Sequence, residues 1–166
     1  MRVGRTADRN REQRGETDVT APQRSGSRSA ARTVDLPFTL LSVREARRRM
    51  AEDLSALGVE DPGRGDALVV LSELLGNALR HARPLRDGSV RAMWRVRPDE
   101  VEIAVADGGA FSTSPRADRP PFAALSGRGL GIVDALCDSW GVEGAGSSDQ
   151  LVWAVVPRAT LPRHDT

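Results

Sequence analysis

The sequence predicts an α+β two-layer sandwich, in which a mixed, mostly antiparallel sheet is covered by helices on one face. Two segments carry apolar residues at helical spacing, and a glycine-rich segment leads into a third helix. The other apolar segments are short, rich in Val, Ile or Trp, and mostly arranged as hairpins. The chain has 166 residues, 39% of them hydrophobic, which fits one domain of this kind with its own core.

The first predicted strand lies in TVDLPFTLL, where Pro37 favours an edge position because proline cannot donate to a sheet ladder. A helix follows, with Ser42 and Glu45 at the spacing of a capping box and Gly58 at its end. An apolar stripe at helical spacing predicts its buried face, and it consists of Val43, Ala46, Met50, Leu54 and Leu57. A cluster of arginines lies largely off this stripe, as expected of a solvated face, and it consists of Arg44, Arg47, Arg48 and Arg49.

The second helix is predicted over residues 65–82, because helices tend to stop before a proline such as Pro84. The stretches SVRAMWRV and EVEIAVAD then form a predicted hairpin around Pro98 and Asp99. Further along, GRGLGIVDALCDSW reads as a glycine loop entering a third helix, and LVWAVV as the last strand. The folded domain is therefore predicted over residues 33–158.

The chain ends fall outside the predicted domain. Residues 1–33 carry eight Arg and four acidic residues with almost no large apolar side chains, so residues 1–32 are expected to form a disordered Arg-rich tail. Residues 159–166 are expected to be a flexible C-terminal tail. The basic excess lies on the tail and the domain is mildly acidic, which argues against direct nucleic-acid binding.

Composition also excludes several classes of protein. The chain has no Lys, which rules out Walker-type phosphate loops and the ordinary protein-kinase fold. Its single cysteine, Cys137, leaves no internal disulfide and no Cys/His cluster for a metal. No apolar run approaches the roughly 18 residues of a membrane span, so a cytoplasmic location is expected.

The second helix carries the first candidate site. Glu73, Asn77 and His81 follow one another at intervals of four residues, and four residues turn a helix by about 400°, so their side chains point to much the same side. A divalent cation with phosphate would offset burial of these polar groups, with Asn77 as an oxygen ligand. Simple solvation of half-exposed Glu73 and Asn77 is an equally good interpretation, and His81 fits a helix C-terminus without any ligand.

Two further elements are individually weak. Asp107 ends a predicted strand and is followed by Gly108 and Gly109, so the carboxylate could accept a hydrogen bond from an adenine amine, although Asp-Gly-Gly is also an ordinary turn. The predicted anion-binding loop ahead of the third helix consists of Gly127, Arg128, Gly129, Leu130 and Gly131. The three elements support a binding site more strongly together than alone, because they occur in one order along the chain.

Taken together, the stretches ELLGNALRH, VADGG and GRGLG resemble the GHKL ATPase superfamily, and within it the anti-sigma-factor serine/threonine kinases and ATP-binding regulators of actinomycetes. The resemblance covers about residues 33–158. It implies Glu73 as general base, Asn77 as Mg²⁺ ligand and His81 as a further nucleotide contact.

The resemblance also extends to the turn and the glycine loop. It implies Asp107 and Gly109 at the adenine and the amides of residues 127–131 at the phosphates, with residues 108–126 as an ATP lid. Two departures are expected to weaken affinity or turnover. Phe111 stands where the family has glycine, and SSDQ replaces the usual Gly-Thr before the last strand.

The resemblance implies ATP and Mg²⁺ as cofactors, and a sigma factor and an anti-anti-sigma (STAS-type) protein as partners, with a possible homodimer. The leading hypothesis is a Mg²⁺-ATP-dependent serine/threonine kinase that phosphorylates the anti-anti-sigma partner. The alternatives are a nucleotide-gated binding switch without chemistry and a domain that keeps the fold but has lost the nucleotide.

Overall fold

A computed structural model describes residues 30–109, 128–144 and 148–158. The elements are β1 (Ala30–Pro37), α1 (Leu41–Ala56), α2 (Gly63–His81), β2 (Ser89–Val96), β3 (Glu100–Asp107), α3 (Arg128–Leu136), β4 (Ser139–Glu143) and β5 (Gln150–Pro157). The strands form one sheet in the order β1-β2-β3-β5-β4, and each pair of neighbours is antiparallel. The predicted α+β sandwich is confirmed. The sheet of the described residues is fully antiparallel, whereas the sequence predicts a mixed, mostly antiparallel sheet.

The core lies between one face of the sheet and the helices. Burial alternates along β2, β3 and β5, so every second residue of these strands faces the core. The largest fully buried side chains there come from α1, α2 and the sheet, and include Met50, Leu54, Leu71, Leu74, Leu75 and Ile103. None of the helices in the described ranges is long and apolar enough to cross a membrane.

The opposite face of the sheet carries a shallow cleft. Its volume is about 390 Å³, and Met93, Ala104 and Trp153 are among the residues that line it. Because the polar residues of interest lie on the helix-covered side, this cleft is separate from the candidate site described below.

β1 is an edge strand, as Pro37 predicts, but it begins at Ala30, before the predicted boundary at residue 33. Residues 30–32 continue the ladder with β2, where Arg32 is the partner of Trp94. The Arg32 guanidinium also forms an ion pair of 2.7 Å with Asp53 of α1. The same carboxylate accepts a hydrogen bond from Trp94 Nε1 at 2.9 Å, which fixes this corner of the domain.

The predicted capping box at the start of α1 is wrong. The helix begins at Leu41, and no side chain caps its first amides. Ser42 is buried in the first turn and donates its hydroxyl to the carbonyl of Pro37. The carboxylate of Glu45 accepts hydrogen bonds from Arg48 and Arg49, and these guanidinium groups lower its pKa to about 2. Nearby arginines are stronger partners for Glu45 than a backbone amide.

The other sequence expectations for α1 hold. Ala46, Met50 and Leu54 are fully buried along the predicted stripe. After the helix ends, Gly58 adopts a φ of 71°, a left-handed conformation that favours glycine.

The predicted hairpin of β2 and β3 is confirmed, and α2 begins at Gly63, slightly earlier than expected. β4 is not predicted from the sequence, because its first residues fall in the predicted third helix. That helix ends at Leu136, and the following Ser139–Glu143 segment pairs with β5. Gly141 lies under the ring of Trp153, where an added Cβ would approach Cζ2 to 2.9 Å. A short strand with a central glycine has little strand signature.

Replacing a core leucine tests the orientation of the helices. Leu71 of α2 is fully buried, so Leu71→Ala is expected to lower the free energy of unfolding by about 2–5 kcal/mol. Leu41→Ala is the matched control on α1, because Leu41 is 81% exposed and its loss should change the free energy by less than about 0.5 kcal/mol. Urea denaturation measures both, and equal effects would contradict the assigned faces.

Candidate functional site

α2 presents two of its three candidate residues toward the interior. Asn77 is 9% exposed, and Glu73, one turn earlier, is half-buried. His81 is the last residue of the helix and is exposed. The structure therefore places Glu73 and Asn77 together, while His81 lies at the solvent-facing helix end.

The first turn of α3 packs directly against these two side chains. A Cβ atom added to Gly129 would overlap Glu73 Oε2 and would lie 3.4 Å from Glu73 Cδ and 3.8 Å from Asn77 Oδ1. The backbone of α3 thus comes as close to the carboxylate and the amide oxygen as a glycine allows. The second helix and the described part of the predicted glycine segment therefore lie together at one candidate site.

Asn77 has an unsatisfied donor. Its Nδ2 atom is buried and has no hydrogen-bond partner in the described structure. Burying an unpaired amide group costs about 1–3 kcal/mol. A ligand that accepts a hydrogen bond from Nδ2 would remove that cost, so the orphaned group marks a position suited to binding.

Asp107, at the end of β3, is the second buried polar group. It is 1% exposed and accepts one hydrogen bond, from the amide of Gly109 at 2.8 Å. Burial raises the pKa of its carboxyl group to about 6, because only this single donor favours the charged form. A ligand amine that donates to the carboxylate would stabilise the ionised state.

Backbone hydrogen bonds hold Asp107 beside the end of α2. The amide of Gly108 donates to the carbonyl of Arg83 at 2.7 Å, and the amide of Arg83 donates to the carbonyl of Gly109 at 2.9 Å. A Cβ at Gly108 would overlap the carbonyl oxygen of Pro84, and Gly109 has a φ of 80°. The Asp-Gly-Gly segment is therefore a turn, as the simpler interpretation expected, and it also joins β3 to the half of α2 that carries Asn77.

The glycine segment lies inside α3 rather than ahead of it, contrary to the loop predicted from sequence. The helix begins at Arg128, so Gly129, Leu130 and Gly131 belong to its first turn. The amides of a first helical turn have no intrahelical partner, so they stay available to an anion. Leu130 is half-buried, and Gly131 is exposed with open space where a Cβ would stand.

Some of the predicted site lies outside the described residues. This applies to Gly127, to residues 110–126 of the expected lid with Phe111, and to the side chain of Arg128.

One buried polar residue near the site, Gln150, is not predicted from the sequence. Four polar or charged side chains of the described residues are buried, namely Ser42, Asn77, Asp107 and Gln150. The hydroxyl of Ser42 donates to the carbonyl of Pro37, and Asn77 and Asp107 are predicted site residues. Gln150 opens β5 and is the direct partner of Asp107 in the sheet. No local signal reveals it, because its proximity to Asp107 depends on the strand order.

The described side chains do not form a complete metal site. No group of three or more His, Cys, Asp or Glu side chains that could hold an ion occurs among them. Asn77 Oδ1 and the Glu73 carboxylate are hard oxygen donors of the kind that Mg²⁺ accepts, and Mg²⁺ commonly takes its other ligands from phosphate and water. The residues present therefore fit a cation that arrives with a phosphate group.

Comparison with known proteins places these features in a family. The chain matches the histidine kinase-like ATPase domain over residues 36–153. A solved structure, the RsbU and RsbW domains of Rv1364c from Mycobacterium tuberculosis, aligns with a TM-score of 0.59 at 18% identity, covering 78% of this chain and 33% of that chain. The chain thus spans about a third of the length of that structure, and this likeness concerns the fold. A search of curated proteins gives no match.

Alanine at two helical glycines tests the contact between α3 and α2. Gly131→Ala should raise the free energy of unfolding by about 0.5–1 kcal/mol through helix propensity, since its Cβ meets no atom within 4 Å. Gly129→Ala should gain about 1 kcal/mol less, because its Cβ must displace the Glu73 carboxylate. Chemical denaturation of both variants measures the difference, and equal gains would show that α3 does not approach Glu73.

The pH dependence of stability tests the burial of Asp107. In the unfolded chain an aspartate ionises near pH 4, whereas the folded pKa of Asp107 is about 6. The folded state therefore binds more protons between these values, and its stability falls as the pH rises from about 4 to about 6. In Asp107→Asn this contribution is absent, so the variant should gain stability relative to the unmodified chain across that window. Parallel urea-denaturation profiles at pH 4 to 8 would contradict the assignment.

Proposed function

Because the chain belongs to the histidine kinase-like ATPase family, we propose that it binds Mg²⁺-ATP between α2 and α3 and transfers the γ-phosphoryl group to a serine or threonine of a partner protein. The observation that carries this proposal is the approach of Gly129 to Glu73 and Asn77. That contact brings backbone amides, an amide oxygen and a carboxylate to one place, which is the set of groups that phosphoryl transfer uses.

The nucleotide is held at its two ends. Asp107 accepts a hydrogen bond from the adenine amine, beside the turn formed by Gly108 and Gly109. The first-turn amides of α3 donate to the phosphates, where the helix dipole also favours negative charge. The orphaned Nδ2 of Asn77 donates to a phosphate oxygen when its Oδ1 faces the cation.

Asn77 Oδ1 is the residue atom that would hold Mg²⁺, with phosphate oxygens and water as the remaining ligands. When bound, the cation neutralises charge that develops on the transferring group. The fit rests on the unpaired amide of Asn77 and on the adjacent Glu73 carboxylate.

Glu73 acts as the general base. Its carboxylate accepts the proton of the attacking serine or threonine hydroxyl, whose oxygen forms a bond to the γ-phosphorus. The bond between that phosphorus and the β–γ bridging oxygen breaks, and ADP leaves with the bonding electron pair. His81 is exposed at the helix end, so we assign it at most an outer contact with the nucleotide.

The partner class comes from the sequence resemblance to anti-sigma-factor kinases. On that basis the phosphorylated partner is an anti-anti-sigma protein of the STAS type, and the chain alternately binds a sigma factor, in the cytoplasm and as a homodimer. The fold likeness to a structure described as RsbU and RsbW domains supports this choice. A switch that binds nucleotide without transfer is the second candidate, and Phe111 in place of glycine favours it.

A conservative change at Glu73 separates these candidates. Glu73→Gln keeps the size of the side chain and removes the base, so transfer of label from γ-labelled ATP to a STAS-type partner should slow by about 100-fold or more. ATP affinity should remain within about three-fold, since the base does not hold the ground-state nucleotide. Glu52→Gln, on the exposed face of α1 with its side chain 62% exposed, is the matched control and should transfer normally.

Undiminished transfer by Glu73→Gln would remove the base from the mechanism. Nucleotide binding without any transfer by the unmodified chain would favour the switch. A folded chain that fails to bind ATP with Mg²⁺ would overturn both candidates.

A further inference from the structure

Gln150 is a buried residue whose amide neither the core nor the proposed phosphoryl transfer uses. It is the first residue of β5, and it is 9% exposed. Its amide is within reach of solvent, because it has no hydrogen bond within the described residues and is not among their fully buried atoms without a partner. Val152, Ala154 and Val156 are aliphatic further along the same face, so Gln150 is the polar exception at this end of the strand.

The sheet places Gln150 beside Asp107. The two residues are direct partners in the antiparallel pairing of β3 and β5. Both belong to the buried set of alternating positions, so both side chains point to the helix-covered face. Paired residues of an antiparallel sheet have Cβ atoms about 4.5–5.5 Å apart. The amide and the carboxylate therefore face the same small space, at the end of the sheet that the Gly108 turn joins to α2.

The two groups have complementary chemistry. The ionised carboxylate of Asp107 only accepts hydrogen bonds, so it can bind a base amine but not a ring nitrogen. The Gln150 amide supplies both a donor and an acceptor in one plane. The amine of adenine is flanked by the acceptor nitrogens N1 and N7, and a glutamine amide matches such a donor and acceptor pair.

We propose that Gln150 reads the base together with Asp107, donating from Nε2 to the adenine ring nitrogen beside the amine. The inference rests on the proposed function, since it needs ATP in this site. Selectivity against hypoxanthine and guanine comes from Asp107, since these bases present an oxygen where adenine presents an amine, and Gln150 adds a contact with the ring itself. With this contact, the replacement of Gly-Thr by SSDQ exchanges one base contact for another and does not simply remove one.

Deaza analogues of ATP test this contact at single-atom resolution. 1-Deaza-ATP and 7-deaza-ATP each replace one candidate ring nitrogen by CH, and their affinities with Mg²⁺ are measured by calorimetry. In the unmodified chain, one of the two analogues should bind about 5- to 10-fold more weakly than ATP, the loss of one hydrogen bond to a buried donor. In Gln150→Met, which keeps the length of the side chain but cannot donate, ATP itself should weaken by a similar factor.

The decisive comparison is between the analogue and the variant. If Gln150 donates to that nitrogen, Gln150→Met binds the affected analogue as tightly as it binds ATP, because the contact is already absent. Gln150→Glu, which has the same size but no donor, should likewise lose the discrimination. Ser148→Ala is the control, since Ser148 is exposed ahead of β5 and its loss should leave every affinity unchanged.

Two results would overturn the inference. One is an ATP affinity of Gln150→Met equal to that of the unmodified chain. The other is a deaza penalty that persists unchanged in the folded Met and Glu variants, with folding verified by circular dichroism. Failure of the unmodified chain to bind ATP is a different result, because it refutes the proposed function and the base contact with it.

Discussion

The close approach of α3 to α2 at Gly129 is the contact on which the candidate site depends. Gly129 and Val133 are four residues apart and therefore share one face of α3. Val133 is fully buried in the core and anchors the helix, and Gly129 lets the backbone reach the Glu73 carboxylate. A side chain at residue 129 would hold the free amides of the first turn away from Asn77. In the proposed function, the packing of this short helix thus determines whether a phosphate and its cation can be held.

The candidate site has polar side chains at buried positions that apolar residues would otherwise occupy. Asn77, Asp107 and Gln150 are polar and buried, and the described residues give them a single side-chain hydrogen bond, between Asp107 and the amide of Gly109. Ser42, the remaining buried polar residue, donates its hydroxyl to the carbonyl of Pro37 at the end of β1 and has no need of a ligand. The unpaired donor of Asn77 and the desolvated carboxylate of Asp107 lower stability, a cost that is typical of binding sites.

The sequence predicts most strongly where a pattern is local and periodic. The stripe of α1, the hairpin of β2 and β3 and the edge position of Pro37 follow from such patterns, and the structure confirms them. Ser42 and Glu45 match a capping box, but a carbonyl and two arginines within reach are better partners.

Features that depend on tertiary context could not be read in this way. β4 carries little strand signature, because Gly141 must make room for the ring of Trp153. Gln150 can be recognised as a candidate site residue only from the strand order, which places it opposite Asp107. The proximity of Glu73, Asn77 and Gly129 was predicted from their order along the chain, and the structure brings them together.

The most direct test of the account is a calorimetric titration of the chain and of Asn77→Leu with Mg²⁺-ATP. We expect one ATP to bind per chain, with an affinity at least about ten-fold weaker in the variant, and an unchanged affinity in Asn77→Leu would contradict a nucleotide site between α2 and α3.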